Sequence, residues 1–151
     1  MSVRNDNLRI VFAGWVDALR RDDLDAIERH LHPDAVWQGL RPDLVCADRA
    51  AIVDNVRGNE GRLPDVTSIE LVAEGDQVLF GVHSPDLVEV AGEQLDEQVY
   101  EVFTIADGLI VRIDEYRRRE DAAEAMITSA AATACGPSAP GRRSAPPGSS
   151  T

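Results

Sequence analysis

Hydrophobic and polar residues alternate most regularly between Gln98 and Arg117, in the segment QVYEVFTIADGLIVRIDEYR. Ala106-Asp107-Gly108 separates two alternating runs, a pattern typical of a β-hairpin. A two-residue Asp107-Gly108 turn would pair Glu101 with Asp114 and place like charges opposite one another. We therefore favour a three-residue loop over 106–108, with Gly108 in the left-handed conformation.

This register divides the hairpin into two faces. The predicted inward face is apolar except for two acids and comprises Val99, Glu101, Phe103, Ile105, Leu109, Val111, Ile113 and Glu115. The predicted outward face comprises Gln98, Tyr100, Val102, Thr104, Ile110, Arg112, Asp114 and Tyr116. Glu115 would lie opposite Val99 and diagonal to Glu101, so two glutamates would sit near each other at one end of an apolar surface.

The spacing of apolar residues elsewhere predicts the remaining elements. The predicted helices span about residues 6–20, with Asn5 or Asp6 as the cap, 22–32 before Pro33, 48–57 and 118–134. Besides the hairpin, strands are predicted over 35–39, 66–74 and 77–84, and 85–97 is interpreted as a loop or irregular strand. Helices followed by a run of antiparallel strands predict an α+β fold, in which a curved antiparallel sheet forms a cone over the N-terminal helices and leaves a cavity.

Composition narrows the class of protein. With 44% hydrophobic and 28% charged residues, 151 residues suffice for one globular domain, which we place at residues 1–134. The remainder, 135–151, is rich in Pro, Gly and Ser and is predicted to be a disordered tail. The net charge of -12 argues against nucleic acid and anionic membranes as partners.

Other sequence signals are weak. No apolar run is long enough to predict a membrane span or a signal sequence, so a cytoplasmic protein is expected. Cys46 and Cys135 lie far apart without a CxxC spacing, which indicates neither a disulfide framework nor a zinc site. We expect no metal and no cofactor.

Three segments resemble the nuclear transport factor 2-like superfamily, and within it the SnoaL-like proteins. They are DDLDAIERHLHPDAVW at 22–37, the predicted helix over Cys46–Val56, and YEVFTIADGLIVRIDEY at 100–116. With the order of elements, the resemblance covers roughly residues 7–130. It implies the cone-shaped fold and a homodimer, and the superfamily includes isomerases, polyketide cyclases, epoxide hydrolases and non-catalytic members.

The resemblance also assigns family positions to residues of this chain. The aspartate base of ketosteroid isomerase-like enzymes falls on Gly39, their helix-one tyrosine on Trp15 and their second acid on Glu101. The arginine and one aspartate of limonene-type epoxide hydrolases fall on Val82 and Ser84, and their remaining aspartate on Glu115. In SnoaL-type cyclases an acid/base aspartate occupies the Glu115 position and a histidine the Glu101 position. The cyclase-like interpretation is therefore retained in part: the acid at position 115 is kept as glutamate, whereas glutamate replaces the histidine at position 101.

Two interpretations of Glu101 and Glu115 remain open. Two carboxyl groups in an apolar cavity cannot both ionise cheaply, so one should have a raised pKa and act as general acid while its ionised neighbour acts as base. Alternatively, Arg41, Arg57 or Arg62 reaches in and forms a structural ion pair, or the cavity mouth is wet.

The expected ligand contacts are Trp15, Trp37, Val82 and Ile113. The tryptophans could equally be core residues.

Two functional hypotheses follow. The first is a SnoaL-like pocket for a small, uncharged, apolar organic molecule, with acid/base catalysis by Glu115 and Glu101 on a carbonyl or epoxide if the protein is an enzyme. The second is a non-catalytic dimerisation or interaction module. In it the cavity is filled by side chains, and an outer sheet face of Tyr100, Val102, Ile110 and Tyr116 meets a second copy.

Overall fold

The computed structural model describes residues 2–59 and 64–135. Its helical elements are α1 (Val3–Val11), a π-helical turn (Phe12–Val16), α2 (Asp17–Arg20), α3 (Leu24–His30), α4 (Arg49–Gly58) and α5 (Arg119–Cys135). Its strands are β1 (Leu31–Gln38), β2 (Val45–Cys46), β3 (Ser68–Glu74), β4 (Gln77–His83), β5 (Glu89–Val90), β6 (Glu93–Gln94), β7 (Gln98–Ala106) and β8 (Leu109–Tyr116). Of the predicted tail 135–151, Cys135 ends α5 and the rest lies outside the described residues.

Polar side chains fix the starts of the helices. Asp23 and Asp48 each accept a hydrogen bond from the backbone N–H three residues further on, at 3.1 and 2.9 Å, and thereby cap α3 and α4. The first helix begins earlier than predicted, because Ser2 provides its cap rather than Asn5 or Asp6.

A six-stranded sheet with the order β2-β1-β8-β7-β4-β3 forms the second layer. The α+β class is confirmed, but the sheet is mixed, because β1 pairs with β8 in parallel while the other neighbours are antiparallel. The predicted strand at 35–39 is longer and starts at Leu31, with Pro33 inside it. Residues 85–97, interpreted as a loop or irregular strand, contain the small separate β5–β6 hairpin.

The register of the central hairpin differs from the prediction. Ala106 pairs with Leu109, so Asp107-Gly108 is a two-residue turn, and the positive φ angles of +52° and +79° at these two residues are those of a type I′ turn. Further along, Thr104 pairs with Arg112. The strand β8 therefore contains one extra residue, a β-bulge, near the turn.

The bulge changes which residues face inward. Ile105 pairs with Ile110, and both are buried in the main core, so the placement of Ile110 on the outer face was wrong. Beyond the bulge, Glu101 is directly opposite Glu115 rather than diagonal to it. The two-residue turn therefore does not place Glu101 opposite Asp114. The extra residue shifts the rest of β8 by one position, and Asp114 pairs with Val102 instead.

The helix α5 covers the outer face of the sheet. Tyr100 and Val102 are only 2% and 1% exposed and pack with Ala122 and Met126 of α5. The outer face expected to meet a second copy is thus buried within the chain itself, and this geometry for a dimer was wrong.

Close packing at Gly14 joins the π-helical turn to α3. A methyl group on Gly14 would overlap the ring and Cβ of His30, whose Nδ1 lies 2.7 Å from the carbonyl oxygen of Ala26. The absence of a side chain at this position lets the π-helical turn lie directly against α3.

We expect Gly14→Ala to lower the free energy of unfolding by about 2 kcal/mol, because the His30 ring must move and the backbones must separate. Urea denaturation at constant pH measures this difference. Gly58→Ala is the matched control, since a Cβ at Gly58 meets nothing within 4 Å. Equal stabilities for the two variants would contradict the close packing at Gly14.

Candidate active site

A cavity of about 1040 Å³ lies between the helices and the sheet. This volume is at the upper end of the range for small-molecule sites, about 300–1,000 Å³. Most of its wall is apolar, including Phe12, Val16, Ile27, Leu44, Val56, Phe80 and Val99. The cavity is therefore large enough to hold an organic ligand, and it is not filled by side chains as the interaction-module hypothesis expected.

Both predicted glutamates line this cavity. Glu101 on β7 and Glu115 on β8 are direct cross-strand partners, so their side chains leave the sheet on the same face. Glu101 is 7% exposed and Glu115 is partly buried. The two side chains share a hydrogen bond, in which the protonated Glu101 carboxyl donates to Glu115.

Burial raises the pKa of both carboxyl groups. For Glu115 burial outweighs the hydrogen bond from Glu101, and the pKa rises to about 7. For Glu101 burial is again the main cause, followed by the negative charge of Glu115 and the shared hydrogen bond, and the pKa rises well above its ordinary value. A hydrogen bond with the side chain of Trp15 opposes this rise. The pair therefore holds at least one proton near neutral pH.

The arginines proposed to neutralise the pair are engaged elsewhere. Arg41 contacts Asp43 at 3.2 Å, and Arg57 contacts Asp54 at 2.8 Å. Arg62 lies outside the described residues. Within residues 2–59 and 64–135, neither glutamate forms an ion pair with an arginine, so the structural ion-pair interpretation finds no support there.

The two tryptophans lie together at the cavity wall. The Trp15 ring, on the π-helical turn, packs edge-on against Trp37 at 5.3 Å and against Phe103 at 5.6 Å between ring centroids. Trp15 is 1% exposed and belongs to the core, so this residue is both a core and a cavity residue. The indole N–H of Trp37 is buried and has no hydrogen-bond partner among the described residues.

The predicted contacts Val82 and Ile113 differ in position. Val82 on β4 lines the cavity, as the alternation of that strand predicts. Ile113 is fully buried in the core and is not part of the cavity wall. Its register partners are Trp37 and Phe103, and these aromatic rings fill the space at its level of the sheet. The predicted ligand contact at Ile113 is therefore not found, because this side chain packs in the core.

A model of the SnoaL-like domain family matches residues 12–113. The chain belongs to the SnoaL-like domain family. This match confirms the nuclear transport factor 2-like superfamily that the three sequence segments indicated. No curated protein matches the chain in sequence.

Solved structures share the fold of this SnoaL-like domain. A candidate polyketide cyclase from Xanthomonas campestris pv. campestris has a TM-score of 0.60 at 22% identity, with 80% of this chain and 96% of the other covered. An LEH-like epoxide hydrolase from M. tuberculosis has a TM-score of 0.55 at 21% identity, covering 88% and 98%. A candidate ketosteroid isomerase from Kribbella flavida DSM 17836 has a TM-score of 0.56 at 17% identity, covering 77% and 80%. At these identities the likeness shows the fold alone.

Sequence reasoning did not assign Cys46 to the site of the SnoaL-like domain. Cys46 on β2 pairs with Trp37 on β1 and lines the cavity. Burial raises the pKa of its thiol, and the negative charges of Glu115 and Asp48 raise it further. The thiol therefore stays protonated at neutral pH and is a poor nucleophile. Only the pairing of the two-residue strand β2 brings it to the cavity, and no sequence motif signals that pairing.

Gly39 lies next to the Glu115 carboxyl and packs closely against Leu44. A Cβ at this position would lie 3.4 Å from Oε1 of Glu115 and 2.9 Å from Cβ of Leu44. The residue that the family resemblance aligned with a catalytic aspartate is thus in contact range of the glutamate pair. A side chain here would collide with Leu44, whereas its Cβ would only touch the carboxyl group at van der Waals distance.

Other functional classes gain no support from the described part of the chain. Among these residues, no group of three or more His, Cys, Asp and Glu side chains could hold a metal ion. None of the helices in residues 2–59 and 64–135 combines the length and apolar character needed to cross a membrane.

We expect NMR titration of carbon-13-labelled glutamate to show the Glu115 carboxyl changing near pH 7 and the Glu101 carboxyl changing well above its ordinary range. Glu115→Gln and Glu101→Gln assign the two signals, and the exposed Glu124 serves as an internal comparison. Midpoints between about pH 4 and 5 for both residues would show ordinary exposed carboxyls and contradict the site.

We expect Glu115→Gln to be more stable than the parent chain at pH 8, by about 2–3 kcal/mol. The folded state holds the Glu115 proton up to pH 7, whereas the unfolded chain releases it near its ordinary pKa of about 4.3. The parent therefore loses stability as pH rises through this window, and glutamine, which does not titrate, does not.

Urea denaturation between pH 4.5 and 8 measures this difference, which should approach zero at the acid end. Glu124→Gln, on the exposed side of α5, is the matched control and should run parallel to the parent. A Glu115→Gln curve that also stays parallel to the parent would rule out the raised pKa.

Proposed function

We propose that this SnoaL-like domain binds a small, largely apolar carbonyl or epoxide compound in its cavity and performs acid/base catalysis on it, as an isomerase, cyclase or hydrolase does. Glu115 is the proposed base and Glu101 the proposed acid. The observation that carries the proposal is the position of these two carboxyl groups. They lie directly opposite each other on the neighbouring strands β7 and β8, at the wall of a mostly apolar cavity of about 1040 Å³.

The different environments of the two glutamates support different roles. With a pKa of about 7, Glu115 is partly ionised at neutral pH and is a stronger base than an exposed carboxylate. Glu101 is more deeply buried and retains its proton, so it can donate a hydrogen bond or the proton itself to a ligand oxygen. Because Glu101 now donates to Glu115, a ligand oxygen has to take over that hydrogen bond when it enters.

The surrounding residues support binding of an apolar ligand. Trp15, Trp37 and Val82 offer apolar contact surface close to the glutamates, in addition to the aliphatic wall. Cys46 adds a half-buried, protonated thiol. These contacts would orient a ring or chain so that a polar group meets the acid pair.

The family positions favour cyclase-like chemistry over the two alternatives. Gly39 lacks the base of the ketosteroid isomerase-like enzymes, and Val82 and Ser84 lack the arginine and aspartate of the limonene-type epoxide hydrolases. Glu115 occupies an acid position in the cyclase-like proteins and differs from it by one methylene. The fold likeness to a candidate polyketide cyclase and to an epoxide hydrolase is consistent with either substrate class. A homodimer and a cytoplasmic location stay predictions.

We expect the protein to exchange the α-protons of ketones with solvent deuterium, because Glu115 can remove a proton while Glu101 stabilises the enolate oxygen. Proton NMR of β-diketones and aryl ketones in D₂O measures the exchange rate, and a panel of alicyclic epoxides tests for ring opening. Glu115→Gln should lower the exchange or opening rate at least about 100-fold. The rate should rise with pH up to about 7, as Glu115 loses its proton, and then level off.

Asp114→Asn is the control for this test. Asp114 is adjacent to Glu115 in sequence, but it forms an ion pair with Arg112 and does not line the cavity. Its substitution should leave the rate unchanged. If Glu115→Gln retains the parent rate, Glu115 is not the base.

A further inference from the structure

The charges that line the cavity are predominantly negative. The charged residues of its wall are Asp17, Arg20, Asp22, Asp43, Glu101 and Glu115. Among these described residues the only basic group is Arg20, and it is paired with Asp17. The chain contains no lysine, and all 15 of its basic residues are arginines. An anionic ligand would therefore meet repulsion and no counter-charge in this wall.

Glu115 has no counter-ion among the described residues. It shares a hydrogen bond with another carboxyl group, and within the described residues no cationic side chain contacts either acid. A partly buried carboxylate without a cation is costly, and an opposite charge supplied from outside would remove that cost. The site is thus complementary to a cation at this position.

The mouth of the cavity carries large apolar side chains beside the exposed Arg20, Asp22 and Asp43. The cavity-lining residues Phe12, Val45, Val66, Ile69 and Val90 are 37–48% exposed, whereas Glu101 is 7% exposed. Large apolar side chains thus continue to the solvent boundary, and the two glutamates lie deeper than these side chains. A matching ligand has its charged group at one end and an apolar body that covers these residues.

We infer that the ligand class of this cavity is an amphipathic amine, whose ammonium group pairs with Glu115 while its apolar body extends toward the mouth. The inference rests on the proposed small-molecule function and narrows its substrate class to compounds that carry a basic nitrogen. It departs from the uncharged ligand expected from the sequence pattern, because the wall holds unpaired acids and no free base among the described residues.

The pairing makes binding depend on pH. An alkylammonium with a pKa of about 10 stays charged between pH 6 and 8, whereas the glutamate pair must release a proton to provide the full negative charge. The titratable groups that line the cavity with Glu115 are Glu101 from β7, Cys46 from β2, Asp17 and Arg20 from α2, Asp22 after α2 and Asp43 before β2; the uncharged polar groups are Asn55 from α4 and Asn59 after it. Amine binding should therefore release a proton below pH 7.

The test uses three probes with one apolar body: 4-phenylbutylamine, 4-phenylbutanol and 4-phenylbutanoate. Both tryptophans of the chain line the cavity, so intrinsic fluorescence reports binding, and calorimetry in buffers of different ionisation enthalpy counts released protons. At pH 8 the amine should bind at least about tenfold more tightly than the alcohol, and the butanoate most weakly. Amine affinity should rise severalfold from pH 6 to pH 8.

Two variants test whether Glu115 is responsible for the preference for the amine over the alcohol. Glu115→Gln should reduce the preference for the amine over the alcohol to near unity. Glu124→Gln removes one exposed acid on α5, outside the cavity wall, and should leave the preference intact. A preference that persists in Glu115→Gln would indicate binding to the acidic surface in general and overturn the inference.

The other outcomes separate this inference from the proposed function. If the alcohol binds as tightly as the amine, the amine class is wrong, and the small-molecule cavity remains supported. If the butanoate binds best, the charge argument is wrong. If none of the three probes changes the tryptophan fluorescence or produces heat, both the inference and the proposed binding function fail.

Discussion

The contact between two carboxyl groups across β7 and β8 is the constraint on which the candidate site depends. Glu101 and Glu115 are direct register partners, so the sheet itself holds them within hydrogen-bond distance. Two like charges cannot occupy such a position in an apolar cavity, and the pair keeps a proton instead. The proton converts a destabilising repulsion into a hydrogen bond, and it leaves one group as a donor and the other as an acceptor.

The surrounding architecture maintains this contact. The π-helical turn places Trp15 in the core, where its side chain bonds with Glu101 and its ring packs on Trp37 and Phe103. π-Helical turns are frequent at functional sites. On the other side, Gly39 lies beside the Glu115 carboxyl and allows the close approach of Leu44. The helix α5 covers the outer face of the sheet, so the apolar side chains on the face opposite the cavity are also buried. A site that holds unpaired acids in this way reduces stability at neutral pH, a common cost of functional sites.

Much of the fold was predictable from local sequence patterns. The helical spacing around α3, α4 and α5 and the alternation of β4 gave boundaries within a few residues of those observed. Successive residues of β4 alternate between the main core, with Val78 and Phe80, and the cluster under α5, with Leu79. The parallel pairing of β1 with β8 was not predictable in this way, since it joins segments more than 70 residues apart. The cavity position of Cys46 depends on that same pairing, through β2.

The sequence by itself predicted that Glu101 and Glu115 share one face, because only a register that separates apolar from polar positions buries one side of the hairpin. The tertiary structure alone decided that they are directly opposite. Two positive φ angles make Asp107-Gly108 a tight turn, and a single extra residue in β8 then shifts the register, which no local pattern specifies. The tertiary structure also placed Ile113 behind aromatic rings and left the glutamate pair without an arginine among the described residues. Both outcomes depend on which distant side chains fill the same space.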